Sequence, residues 1–100
     1  MAVLNLDNFL ALVSTQSSSW AAAGASWTVE RSPEDGRNKH SAWVTIQHLD
    51  REGALILWDS GEGELEAGGA NDTFIQKHFD DLEVANAPLD ELVELVIRNP

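Results

Sequence analysis

The sequence predicts an α+β fold: a single antiparallel meander sheet of four to five strands, with N- and C-terminal helices packed on one face. Three observations predict it. Apolar residues recur at helical spacing near the two ends of the chain. Between those ends lie short segments in which apolar and polar residues alternate. The connections are short and built from Asp, Gly and Pro, so neighbours in sequence are expected to be neighbours in the sheet.

The first helix is expected to start at a cap, Asn5 or Asp7, and to run to about residue 23. Leu6, Phe9, Leu10, Val13 and Trp20 share its apolar stripe. The serine-rich stretch 14–19 is a poor helix former, and Gly24 is a natural stop. A strand follows over residues 26–32, with Trp27, Val29 and Arg31 opposed to Thr28 and Glu30. Pro33-Glu34-Asp35-Gly36 reads as a turn. In the second strand, residues 39–49, Ala42, Val44 and Ile46 share one face and Trp43, Thr45 and Gln47 the other. Asp50-Arg51-Glu52-Gly53 reads as the next turn. Residues 54–58 are apolar throughout, as in a strand covered on both faces or lying at the sheet centre. Residues 59–62 turn the chain again. Over residues 62–67, Glu62, Glu64 and Glu66 point outward, and Leu65 and Ala67 inward. Residues 68–72 form a loop. Residues 73–84 fit a helix by count, but the hairpin rhythm upstream favours a fifth strand, bulged where the alternation slips. Asn86-Ala87-Pro88 opens the last helix, whose buried stripe is Leu89, Leu92, Val93 and Val96, with Asp90, Glu91 and Glu94 facing water.

Composition narrows the function. The 100 residues carry six Lys and Arg against seventeen Asp and Glu, a net charge of −11. Such a chain repels nucleic acid and anionic membrane surfaces. The acidity is polarised: residues 1–50 hold five acids and three bases, residues 51–100 twelve acids and three bases. A polarised charge points to steering toward a basic partner. With no cysteine there is neither a disulfide framework nor a thiolate site. Residues 1–13 lack a basic leader, and Asp7 interrupts their apolar residues, so no signal peptide is expected and the expected compartment is cytoplasmic.

No catalytic constellation emerges. His40, His48 and His78 lack metal-ligand spacing, and no Gly-x-Ser-x-Gly elbow is present. Gly61-Glu62-Gly63 and Gly68-Gly69 are surrounded by acids and do not read as phosphate cradles. Neither an enzyme, a cofactor nor a metal is expected. Trp27 and Trp58 fall at plausible core positions. Trp43 lies opposite Val44 and Ile46, so it is either a cross-strand packing partner or an interface anchor. Asp59, Glu62, Glu64, Glu66, Asp72, Asp80, Asp81 and Glu83 fall within 25 residues, with Lys77 the only base among them. This ladder is either a solvated face that prevents edge aggregation or a surface kept negative to meet a positive one.

The N-terminal helix, the alternating strands, the segment Trp58-Asp59-Ser60-Gly61-Glu62-Gly63-Glu64-Leu65-Glu66, the Lys77-His78-Phe79 strand and the closing amphipathic helix together resemble the TriTu family of immunity proteins. The chain departs from that pattern in the Ser/Ala-rich stretch 14–26. The resemblance implies a single immunity-type domain over residues 1–100. It also implies a partner: an ADP-ribosyltransferase toxin domain of the Tre-Tu type, which binds NAD and modifies elongation factor Tu. An acidic protein seated on the toxin's NAD cleft would exclude NAD or the target. The expected complex is a monomer bound 1:1 to a cognate toxin domain with a basic surface. The residues expected to meet it are Trp43, Trp58, Asp59, Glu62, Glu64, Glu66, Asp80 and Asp81. A nuclease toxin would attract the same acidic surface, and an acidic secretion chaperone or adaptor would share the composition.

Overall fold

A computed structural model describes residues 4–32, 40–69 and 74–98. The element order is α1 (Leu6–Ala22), β1 (Ser26–Arg31), β2 (Ser41–His48), β3 (Arg51–Trp58), β4 (Gly63–Gly69), β5 (Ile75–Phe79) and α2 (Asn86–Val93), which continues as a π-helical turn, Glu94–Arg98. The strands pair antiparallel in the order β1-β2-β3-β4-β5, an uninterrupted meander. The fold is the expected α+β arrangement, with five strands. None of the helices is long and apolar enough, among the described residues, to cross a membrane.

α1 starts at Asn5, whose side chain accepts a hydrogen bond from the Asn8 N–H at 3.1 Å. Leu6, Phe9, Val13 and Trp20 are buried against the sheet. The serine-rich half is helical because burial of Val13 and Trp20 outweighs its weak propensity, and its hydroxyls donate to carbonyls one turn back: Thr15 to Ala11, Ser17 to Ser14 and Ser19 to Gln16. Gly24, at φ 87°, ends the helix in the left-handed region, and Ala25 N–H closes back on the Trp20 carbonyl at 3.0 Å.

One face of the sheet builds the core. Ala42, Val44 and Ile46 of β2, Leu55 and Leu57 of β3, and Leu65 and Ala67 of β4 are all at 0 % exposure, beneath Leu89, Leu92, Val93 and Val96. Trp27 of β1 packs at its margin, edge-to-face with Trp20 at 5.7 Å between ring centres. α2 approaches so closely at Gly53 that an added Cβ would stand 2.7 Å from Leu92 Cδ1 and from Val96 Cγ2, and 2.8 Å from the Glu66 carbonyl oxygen. Only glycine admits the helix there.

Several boundaries differ from the sequence expectation. The β2–β3 turn is confined to Leu49 and Asp50, because Arg51 already pairs with His48 and Gly53 with Ile46. The Asp-x-x-Gly signal is overridden by burial: Arg51 is 7 % exposed and its Nε donates to the Leu95 carbonyl at 2.7 Å. That bond supplies a cation and a donor at the C-terminal end of the last helical segment. β3 is the central strand, covered by α2 on one face only. Trp58 therefore does not join the core. It alternates with buried Leu57, pairs with Ser41 and lies half-buried on the other face. Residues 75–79 form the fifth strand with regular register and no bulge, and the chain leaves the sheet at Asp80. The expected 33–36 turn, Lys39 and Asp72 lie outside the described residues.

Replacing Gly53 with alanine forces Leu92 and Val96 off the sheet and crowds a backbone oxygen. The expected loss is about 1–3 kcal/mol of stability, read as a lower urea midpoint. An unchanged midpoint would contradict the close seating of α2.

Candidate functional site

Both helices cover the same face, so the opposite face of the sheet is open. Strand alternation assigns its residues. One row runs Glu30, Trp43, Ile56, Glu64, His78 across all five strands. The next runs Thr28, Thr45, Ala54, Glu66, Gln76. Trp58 extends the first row's apolar patch at the β3 end, so Trp43, Ile56 and Trp58 are neighbours on one half of the face. All three are half-buried. Trp43 is an open-face residue, as its parity with Val44 and Ile46 requires.

The sheet also sorts charge. Among the described residues, the strand cations Arg31, Arg51 and Lys77 project to the helix side. Arg31 meets Asp7 of α1 at 2.7 Å, Arg51 meets the Leu95 carbonyl, and Lys77 meets Glu91 of α2 at 3.0 Å. The remaining described cation, Arg98, lies in the helical segment itself, 3.9 Å from Glu94. The strand acids Glu30, Glu52, Glu64 and Glu66 project to the open face. The strands therefore give this face four carboxylates and no Lys or Arg among the described residues.

Of the sequence-predicted site residues, Trp43, Trp58, Glu64 and Glu66 come together on this face. Glu62 precedes β4 and accepts from the Ser60 hydroxyl at 3.0 Å. Asp59 is a structural latch: its carboxylate accepts from His40 N–H at 3.2 Å and its carbonyl from Leu4 N–H at 2.9 Å. Asp80 and Asp81 follow β5, where Leu82 N–H donates to the Gly61 carbonyl at 2.8 Å and draws the segment onto the β3–β4 turn. Glu30, Asp50, Glu52 and Phe74 also belong to the open side, and sequence reading did not single them out. Glu52 shares its parity with Ala54 and Ile56, a signal hidden by reading residues 50–53 as a turn.

Internal bonds engage the carboxylates around the aromatic half. Trp43 Nε1 donates to Glu30 at 3.1 Å. His78 lies between two acids, with Nδ1 3.2 Å from Glu64 and Nε2 3.0 Å from Asp80. The imidazolium form donates at both nitrogens; the neutral ring has a single N–H to give. The other two histidines stand apart from this cluster: His48 Nε2 lies 3.0 Å from the Ala23 carbonyl, and His40 is engaged through its backbone.

The chain matches no protein-family model, no curated protein and no solved structure.

The hydrogen bond to Asp80, and next that to Glu64, hold the His78 pKa above its ordinary 6.5. A group whose pKa rises on folding adds stability that is complete below the unfolded value and disappears as pH climbs through the folded value. Wild type should therefore exceed His78→Gln in urea midpoint at about pH 5.5, and the difference should close by about pH 8.5. A difference that stays constant across that range would contradict the paired contacts.

Proposed function

We propose that this chain is an immunity protein that neutralises a toxin domain by laying its open sheet face over a positively charged cleft. The observation that carries this reading is the division of charge by the sheet. Among the described residues, the strand cations are drawn to the helix side and satisfied there, while four strand carboxylates share the uncovered face with half-buried Trp43, Ile56 and Trp58. Like charges gathered on one face repel one another and weaken the fold. A basic partner converts that repulsion into attraction on binding. The tryptophans supply large, rigid apolar area of the kind that dominates binding energy, with the acids around them.

The identity of the toxin follows from the TriTu resemblance. Within that reading the target is an ADP-ribosyltransferase domain, whose dinucleotide cleft needs positive potential to hold the NAD pyrophosphate. An acidic face seated there blocks NAD or elongation factor Tu. Charge speeds the encounter, and apolar anchors slow release.

The test is NAD-dependent labelling of elongation factor Tu by a Tre-Tu-type ADP-ribosyltransferase toxin domain, in the presence and absence of the chain. One equivalent of the chain should abolish labelling. Glu64→Lys combined with Glu66→Lys should weaken inhibition by at least about tenfold, since two attractive contacts become repulsive, while the melting temperature stays within a few degrees of wild type. Full labelling in the presence of excess chain would exclude the reading. Normal inhibition by the folded double variant would remove the open face from it.

A further inference from the structure

The half of the open face away from Trp58 is a groove. The sheet surface drops where Ala54 and Gly68 stand on adjacent strands, and Glu52, Glu66, Asp50 and Phe74 line an open depression of about 510 Å³. The Phe74 ring lies over Gly68, where a Cβ would come within 3.2 Å of its Cδ2, and the residue is nevertheless 60 % exposed. An apolar floor, one aromatic wall and carboxylate walls therefore meet in one place.

The groove differs from the aromatic half in one respect that points to its occupant. Glu30, Glu64 and Asp80 are each engaged by Trp43 or His78. Asp50, Glu52 and Glu66 make no hydrogen bond or ion pair among the described residues. Among the described residues, the uncompensated negative charge of the face is gathered around this depression.

We infer that the groove receives an arginine side chain of the protein partner. This rests on the reading of the open face as the partner-binding surface, and it names the group recognised there. Register sets Glu52 opposite Gly68 and Glu66 opposite Ala54, so the two glutamates are diagonal neighbours, about 7–8 Å apart at the backbone. A guanidinium between them donates to both carboxylates from its planar fork, and its face lies against the Phe74 ring. Lysine offers one compact ammonium with no plane to stack, so arginine fits this combination better. The arginine's aliphatic stem covers Ala54 and Gly68.

The test is an NMR titration of the isotope-labelled full chain with N-acetyl-arginine methylamide, the lysine analogue, and sodium chloride as separate probes. Saturable shifts at the Glu52, Ala54, Glu66, Gly68 and Phe74 amides are expected with the arginine probe. Binding should be at least threefold weaker with the lysine probe and lost in Glu52→Gln/Glu66→Gln. That double variant should also inhibit the toxin at least tenfold more weakly. Shifts that do not saturate, that follow salt over the whole surface, or that are equal for lysine would overturn the proposal. If the double variant loses nothing against the toxin, the groove is excluded and the immunity reading stands. If the arginine probe binds a chain that inhibits no toxin, the immunity reading fails and the groove stands.

Discussion

The seating of α2 on Gly53 is the contact from which the rest of the molecule follows. Because β3 has no side chain at that point, Leu92 and Val96 reach the sheet itself. The same seating brings the Leu95 carbonyl over Arg51 and sets Glu91 beside Lys77. The cations of β3 and β5 thus find partners on the helix side. Strand alternation then leaves no choice for the residues between them: Glu52 beside Arg51, and Glu64 and Glu66 on either side of Leu65, must face away from the helices. One-sided packing and a period of two are enough to turn a diffuse net charge into a face.

That face has two halves with different chemistry. Around Trp43, Ile56 and Trp58, the nearby carboxylates are held by an indole N–H and by His78, which fixes their directions before any partner arrives. Around Ala54 and Gly68 the carboxylates make no hydrogen bond or ion pair among the described residues, and the surface is hollow. In the proposed complex the first half would make apolar contact within an oriented acidic rim, and the second would take a cation. An interface of the proposed kind would draw affinity from its anchors and encounter rate and register from its charges.

Much of this was legible in the sequence where side-chain types alternate cleanly. Val44 and Ile46 against Trp43 and Thr45 reveal the two faces of β2, and Leu65 against Glu64 and Glu66 those of β4. The Gly24 stop and the stripe Leu89, Leu92, Val93, Val96 were equally plain, and the choice between Asn5 and Asp7 as cap was left to the fold, which uses Asn5. Legibility failed where alternation is masked or outvoted. Residues 54–58 are all apolar, so nothing marked Trp58 as an open-face residue. Asp50-Arg51-Glu52-Gly53 has turn composition, yet the helix carbonyl that holds Arg51 comes from 44 residues further along the chain. With those residues read as a turn, Glu52 lost its face and the groove could not be seen. Asp59 looked like one more rung of the acidic ladder because only the folded chain brings the His40 N–H to it.

Carboxyl-specific chemical footprinting of the chain, alone and mixed with the Tre-Tu-type toxin domain of the proposal, tests the central claim most directly. Protection on binding is expected at Glu30, Glu52, Glu64 and Glu66, with Asp7, Asp90 and Glu94 on the helix side labelled equally in both states. Protection of Asp90 and Glu94, with the four open-face glutamates unchanged, would contradict it.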